Sequence, residues 1–267
     1  MNCEDYAYKL KNLIINMAEY CNKGEGYWGG YMSLVDVLSV LFCEKMNFGD
    51  FGTEKLAGDK LILSKGHSGL ALYCAMHLSG LLDEDTLMQY GKSGSGVTQL
   101  ASYNSKIGIE LSAGSLGLGL PYAVGIALLA KKIKSPSKIF VIVGDGEIQE
   151  GANWEALMCA YKYKLNNLIL IVDNNKYQSD GACEDIMPLR SLKEKIDAFG
   201  WTAVSVNGHN HDEIRKALSI ETSYPLAIIA NTEKGHGISF MGNNNSWHHT
   251  HLEGLQLEQA RNEVGKK

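Results

Sequence analysis

Gly144-Asp145-Gly146 and Asn175 are the residues with the most evident chemistry, because each follows closely on a short β-rich run. Glycines on both sides of Asp145 let the backbone turn tightly and approach a ligand while the carboxylate projects from the strand end. With one crossover helix between the two runs, Asp145 and Asn175 stand on adjoining strand ends, about 5 Å apart. A carboxylate, an amide oxygen and a nearby backbone carbonyl make a hard-oxygen set suited to Mg²⁺ or Ca²⁺, with a diphosphate completing the shell. Gly146 and a helix beginning near Gly151 to Trp154 offer N–H groups to the same anion. Taken alone, the Gly-Asp-Gly turn also reads as an ordinary α/β turn with a solvated aspartate.

The elements that must position these residues form an alternation. Residues 60–63, 139–143, 168–172, 203–206 and 226–230 are short apolar runs, several nearly continuous, as parallel strands covered on both faces require. Residues 10–20 and 33–44 carry apolar side chains at helical spacing, with Ser33 placed as an N-cap, and residues 153–163 and 211–218 supply amphipathic helices between strands. The pattern predicts an α/β fold, a parallel sheet flanked by helices on both faces, with ligands beyond the carboxyl ends of the strands. Polar residues follow those ends: Ser64-Lys65-Gly66-His67, Asp173-Asn174-Asn175 and Asn231-Thr232-Glu233. No repeat or Pro/Ser-rich linker divides the chain, so residues 1–267 are expected to form one domain.

Composition narrows the function. At 267 residues and 45% hydrophobic, the chain can bury a substantial core, which rules out disorder and fibres. Its 25 Lys+Arg against 30 Asp+Glu give a net charge of −5 with no basic block, which argues against a nucleic-acid or anionic-membrane partner and for a small molecule. Residues 116–130 are the most apolar stretch, but they fall short of the ~20 a membrane span needs and contain Gly117, Gly119, Pro121 and Gly125. They read as a core segment. The N-terminus lacks a basic region followed by an apolar one, and the six cysteines contain no C-x-x-C pair, so reduced thiols in the cytoplasm are expected.

The longer run from Gly144, Asp145, Gly146 and Glu147 through Gly151 and Trp154 to Asn174, Asn175 and Lys176 resembles the thiamine diphosphate signature of transketolases. The resemblance covers nearly the whole chain and corresponds to the N-terminal, diphosphate-binding half (the PP-type domain), as in enzymes split into two polypeptides. It implies that Mg²⁺ is held by Asp145, Asn175 and the carbonyl of Tyr177. It also implies that Gly144, Gly146, Glu147, Asn175 and His67 line the cofactor, with Gly114, Ser115 and Leu116 in a glycine turn beside its ring. His67 and, near the C-terminus, His248 match the family's catalytic, substrate-facing histidines. His248, His249 and His251 also admit a metal-cluster reading, the lesser one, while His236 stands where many members carry Lys. His209 and His211 are expected at the surface.

In this family the glutamate that activates the aminopyrimidine lies on a pyrimidine-binding domain. Glu150 and Glu155 are not substitutes for it, and Glu150 reads as a subunit-interface residue. The resemblance therefore implies a C-terminal-type partner subunit, in a heterotetramer with two copies of each chain. Two positions depart from the family pattern. Tyr27, in Gly26-Tyr27-Trp28-Gly29-Gly30, replaces a substrate-facing histidine, and Leu100 stands nearest to where another is expected. Tyr27 keeps a hydroxyl donor for the substrate, whereas Leu100 has neither donor nor acceptor.

Three functions follow. The first is ketol transfer from a ketose donor to an aldehyde acceptor. The second is acyl transfer from a 2-oxo acid such as pyruvate to an aldehyde or keto sugar. The third is a non-catalytic scaffolding or regulatory subunit. A dinucleotide dehydrogenase is set aside, because no G-x-G-x-x-G follows a first strand with an acid about 20 residues on.

Overall fold

A computed structural model describes residues 1–21, 24–49 and 58–265. Its centre is a parallel five-stranded sheet of β1 (Lys60–Leu63), β2 (Ile139–Gly144), β3 (Leu168–Asn174), β4 (Thr202–Asn207) and β5 (Leu226–Asn231), in the order β1-β2-β3-β5-β4. All five apolar runs expected from the sequence are strands. Side chains alternate between two cores, as the two-residue period of a strand demands. Phe140, Ile142, Ile169, Ile171 and Ile228 pack against α1 (Cys3–Asn16), α2 (Val35–Val40) and α3 (Gly69–Leu78). Ile139, Val141, Val143, Leu170 and Val172 pack against α4 (Gly119–Lys132), α5 (Gly151–Lys162) and α6 (Leu192–Ala198). Two further helices, α7 (His211–Leu218) and α8 (Gly254–Val264), join the first core. No helix among the described residues is long and apolar enough to cross a membrane.

Helix boundaries differ from the sequence pattern in two places. α1 begins at Cys3, where the Asn2 side chain accepts the Asp5 N–H, so it starts before the apolar spacing becomes evident. Ser33 is not an N-cap: it ends the short helix Trp28–Ser33, and its hydroxyl donates to Asp173 Oδ2 at 2.7 Å. The stretch 116–130 is only partly core. Leu120, Ala123 and Ala127 are buried on the inner face of α4, while Leu116, Leu118 and Leu129 are exposed.

Register brings the polar strand ends together. Gly144 of β2 lies opposite Asp173 of β3, and Asn174 opposite Asn231 of β5. The Asp145 N–H donates to the Asp173 carbonyl at 3.2 Å, extending the ladder one step past the sheet. At this edge Lys65, 1% exposed, places Nζ 2.5 Å from Oδ2 of the fully buried Asp173. Oδ2 also accepts from Ser33 and Asn175, and Oδ1 from the Thr232 hydroxyl. One carboxylate thus ties together the loops after β1, β3 and β5 and the helical segment before α2. Lys65→Met is expected to leave Asp173 buried without a countercharge, costing roughly 3–5 kcal/mol and lowering Tm by roughly 6–20 °C in calorimetry. An unchanged Tm would show that the pair does not hold these loops.

Candidate functional site

Asp145 leaves β2 into the site. It is 2% exposed, and its oxygens accept the Gly146 N–H at 2.8 Å and the Lys176 N–H at 2.5 Å. Burial first, and then the nearby Asp173, push its pKa up to about 6, against the pull of those two N–H groups and of Lys65. Its neighbour Asp173 ends up on the opposite side of the ordinary value. Burial pushes it upward, but Lys65 and the donors Thr232 and Ser33 outweigh that and hold it low. Asp173 therefore has a cation in direct contact, whereas Asp145 is met by backbone N–H groups, the Cys183 thiol and the more distant field of Lys65 and Lys234.

Asn175 is buried beside Asp173, donating Nδ2–H to Asp173 Oδ2 at 3.1 Å and accepting the Tyr177 N–H on Oδ1, also at 3.1 Å. Between Asn175 and Tyr177, Lys176 takes a left-handed φ of +75°. That conformation turns its N–H onto Asp145 while its carbonyl accepts from Cys183. Asp145, Asn175 and Tyr177 are thus gathered at two adjoining strand tips. Gly146 packs closely under the same loop, since a Cβ there would lie 2.6 Å from the Gln178 Cβ.

Glu147 faces inward rather than into this space. Its carboxylate accepts the Ser64 hydroxyl, the Gly117 N–H at 2.9 Å and the Gly144 N–H at 3.1 Å, so it braces two turns. Burial raises its pKa against those three donors. Gly114, Ser115 and Leu116 lie exposed just before α4. At Gly117, φ is +82° and a Cβ would stand 2.6 Å from the Glu150 Cβ, so only glycine makes this approach without strain. Leu100 is next to this turn, its Cδ1 3.9 Å from the Cβ position of Gly114.

Tyr27, His67 and His248 converge. The Tyr27 ring centroid is 5.2 Å from that of His67 and 5.7 Å from that of His248, and the two imidazoles are 5.6 Å apart. Burial, Lys65 and His248 drive the His67 pKa well below the ordinary value. Burial and then Lys234 bring His248 down to about 4. Both rings are neutral at pH 7. Lys234 Nζ donates to His248 Nδ1 at 2.9 Å and to Asn245 Oδ1 at 2.6 Å, which leaves the proton of neutral His248 on Nε2. Burial, then repulsion from Lys65, lowers the Lys234 pKa to about 8.

Residue type and spacing do not single out Lys65, Lys234 or Asp173. Lys65 and Lys234 stand in the same strand-end strings as His67 and His236, and the signal available is a lysine at an otherwise buried strand edge. Apart from the glycine turn and Glu147, every expected site residue lies in either the oxygen cluster or the imidazole cluster. Lys234 links the two, since its Nζ lies 5.7 Å from the Tyr177 ring centroid.

His209 and His211 are not surface residues. His209 Nδ1 and His211 Nε2 each lie 2.8 Å from an oxygen of buried Asp36, and His209 Nε2 accepts the Glu233 N–H. The tertiary reason is that α2 carries Asp36 against the loop preceding α7, which no local pattern reveals. Among the described residues, the metal-like grouping is Asp36, His209 and His236, not the histidines at 248, 249 and 251. It does not form a ready metal site. The His209 and His236 rings stack at 3.5 Å and 15°, so their in-plane lone pairs run side by side, and both His209 nitrogens are already engaged. The stack instead supports the turn that carries Lys234.

Residues 6–267 match the family described as transketolase, thiamine diphosphate binding domain. An apulose-4-phosphate transketolase subunit from Actinobacillus succinogenes is 39% identical over 241 residues, covering 90% of this chain and 87% of that protein. The 6-deoxy-6-sulfo-D-fructose transketolase subunit SqwG of a Clostridium species is 38% identical, covering 85% of this chain and 83% of that one. The transketolase structure from Campylobacter jejuni superposes with a TM-score of 0.89 at 31% identity, covering 99% of this chain but only 43% of the larger protein.

His248 sets an acid limit on the fold. An imidazole that titrates near 4 when folded and near 6.5 when unfolded binds more protons in the unfolded state, so stability falls as pH drops from about 6.5 to 4. Lys234→Met is expected to raise the His248 midpoint toward 6.5 in an NMR titration of the imidazole resonances. A midpoint that stays put would mean that Lys234 does not perturb this ring.

Proposed function

Because the chain belongs to the transketolase family through its thiamine diphosphate-binding domain, we propose that it is the diphosphate-binding subunit of a two-component transketolase. It takes a two-carbon ketol unit from a ketose donor to an aldehyde acceptor, using thiamine diphosphate and Mg²⁺. The observation that carries this reading is the pairing, at adjoining strand tips, of an amide oxygen with a buried carboxylate that has no ion-pair partner in contact among the described residues. That donor set fits the group. Asp145, Asn175 Oδ1 and the Tyr177 carbonyl are hard oxygens, and a divalent cation there would supply the charge that Asp145 lacks. Lys65 and Lys234 add positive potential for a diphosphate.

When bound, thiamine diphosphate supplies the electron sink for breaking the bond beside a carbonyl. The chain's own residues bind and orient. Asp145, Asn175 and Tyr177 hold the cation, Gly144 and Gly146 let the backbone approach the diphosphate, and Gly114, Ser115 and Leu116 flank the ring. His67 and His248 are the catalytic pair. Both are neutral: His67 has one N–H to donate to a substrate oxygen and one lone pair to accept a proton, whereas His248, its Nδ1 held by Lys234, offers only its Nε2–H. Glu147 acts through the turns that it braces. Tyr27, set against both imidazoles, meets the substrate with its hydroxyl.

The partner is a C-terminal-type subunit with a pyrimidine-binding domain, and the assembly is a heterotetramer with two copies of each chain. Relatives that are themselves named as transketolase subunits support the division, as do the apolar Leu116, Leu118 and Tyr103 left exposed near the glycine turn. We place the complex in the cytoplasm, with its six cysteines as free thiols, and take residues 1–267 as one domain. Leu100 beside the glycine turn favours a second reading, acyl transfer from a 2-oxo acid, because it removes a polar contact that a ketose would use.

A donor screen on the chain reconstituted with a pyrimidine-domain partner separates the two. Aldose release from a ketose is expected, whereas carbon dioxide release from pyruvate would favour the second reading. Asp145→Ala is expected to weaken Mg²⁺-dependent cofactor binding by roughly a hundredfold or more in calorimetry, and unchanged affinity would remove it from the site. Tyr27→His is expected to shift kcat/KM toward ordinary ketose phosphates by about tenfold, the worth of one hydrogen bond. An unaltered donor profile would show that Tyr27 does not select substrate.

A further inference from the structure

A hollow of about 410 Å³ lies over the carboxyl ends of β3, β5 and β4, beneath the segment that runs from Lys176 to Lys193. Its centre is displaced from the oxygen cluster, which lies at the tips of β2 and β3, and the two adjoin at Lys176, Tyr177 and Cys183, whose thiol meets Asp145. We propose that this hollow is a second anion site, one that takes a small organic phosphomonoester.

Charge points to an anion. Lys176, Arg190 and Lys193 line the hollow against one acid, Glu184. Lys193 is already paired with Asp197 at 2.6 Å, but Lys176 and Arg190 have no side-chain hydrogen bond or ion pair among the described residues. Two uncommitted cations thus line one pocket, where a single anion could engage both. Both also hold left-handed backbone, with φ of +75° and +51°, which β-carbon-bearing residues rarely adopt and which local structure must enforce.

Hydrogen-bond bookkeeping points to phosphate oxygens. On the floor, Asn174 donates to Asn231, and Asn231 donates to the Ser205 hydroxyl oxygen at 2.8 Å. At the wall, the Ser191 hydroxyl oxygen accepts the Glu194 N–H. Each serine thus uses its oxygen as an acceptor and keeps its proton to donate. Arg190 adds a planar fork that matches phosphate geometry, and Lys176 adds a point charge. A phosphomonoester is close to doubly charged at pH 7 and can use all four groups.

Size and apolar lining point to an organic body. A volume of about 410 Å³ is within the range of small-molecule sites and exceeds what an inorganic ion fills. Leu189 and Ile229, with Tyr177, supply apolar surface. A sugar or base attached to the phosphate would cover it.

The test uses the full-length chain, isotopically labelled, with Mg²⁺ and excess thiamine diphosphate present so that the oxygen cluster has its own ligand to compete. AMP and inorganic phosphate are the probes, titrated at low ionic strength. AMP is expected to shift the backbone amides of Ser191, Leu192 and Ser205, and to bind at least fivefold more tightly than phosphate. Arg190→Glu, at an exposed residue, is expected to weaken AMP binding at least tenfold and to abolish its elevation of Tm. Shifts confined to residues 114–117 and Gly146, or undiminished AMP affinity in Arg190→Glu, would overturn the site. AMP that binds no more tightly than phosphate would overturn the organic body.

Discussion

The arrangement depends on a buried ion pair at the sheet edge. Asp173 is fully buried and accepts hydrogen bonds from Lys65, Ser33, Thr232 and Asn175, which come from four different parts of the chain. A carboxylate without water is stable only if its lone pairs are met by donors and its charge by a cation. Those demands fix where the loops after β1, β3 and β5 sit. Asn175, which lies between Asp173 and Tyr177, is oriented by this network on its Nδ2 side and by its own turn, through the Tyr177 N–H, on its Oδ1 side.

Asp145 shows what happens to a second carboxylate in the same environment when no lysine is assigned to it. It competes with Asp173 for the field of Lys65, and its pKa moves up to about 6. No cation among the described residues touches it, which is why the proposed divalent ion would suit this position. On the far side of Lys234 the same positive field acts on imidazoles instead. His67 and His248 are kept neutral there, because burial and the neighbouring lysines both penalise a further positive charge. One lysine therefore joins the two halves of the site, as a positive group beside the oxygens and a proton donor to His248. The histidine and aspartate group around Asp36 lies behind it and holds the supporting turn in place, so what looks from sequence like spare histidines is scaffolding for Lys234.

Much of this is readable from residue types and spacing. The five apolar runs are strands because continuous Val, Ile and Leu segments fit a sheet covered on both faces, and that pattern is local. Asp145, Asn175 and His67 are recognisable because each closely follows such a run, and strand ends carry ligands in parallel sheets. Ser33, His209 and His211 depart from their sequence expectations for one shared reason. Their roles are set by partners far along the chain, Asp173 for the first and Asp36 for the others, and a serine before an apolar run or a histidine before a helix looks the same with or without such a partner. Leu116 and Leu118 are exposed rather than core because hydropathy does not say which face of a segment is covered.

By itself the sequence determined the class of fold and the positions of Asp145, Asn175 and His67 just past the carboxyl ends of its strands, because these follow from periodicity and from what comes after each strand. Only the tertiary structure decided which charges are compensated. Lys65 is committed to Asp173, Asp145 is left without a cation in contact, and Lys234 is lodged between Tyr177 and His248. The physical reason is that burial and electrostatic pairing depend on distance in space. Strand order and register set those distances, bringing residues more than a hundred positions apart into hydrogen-bond contact.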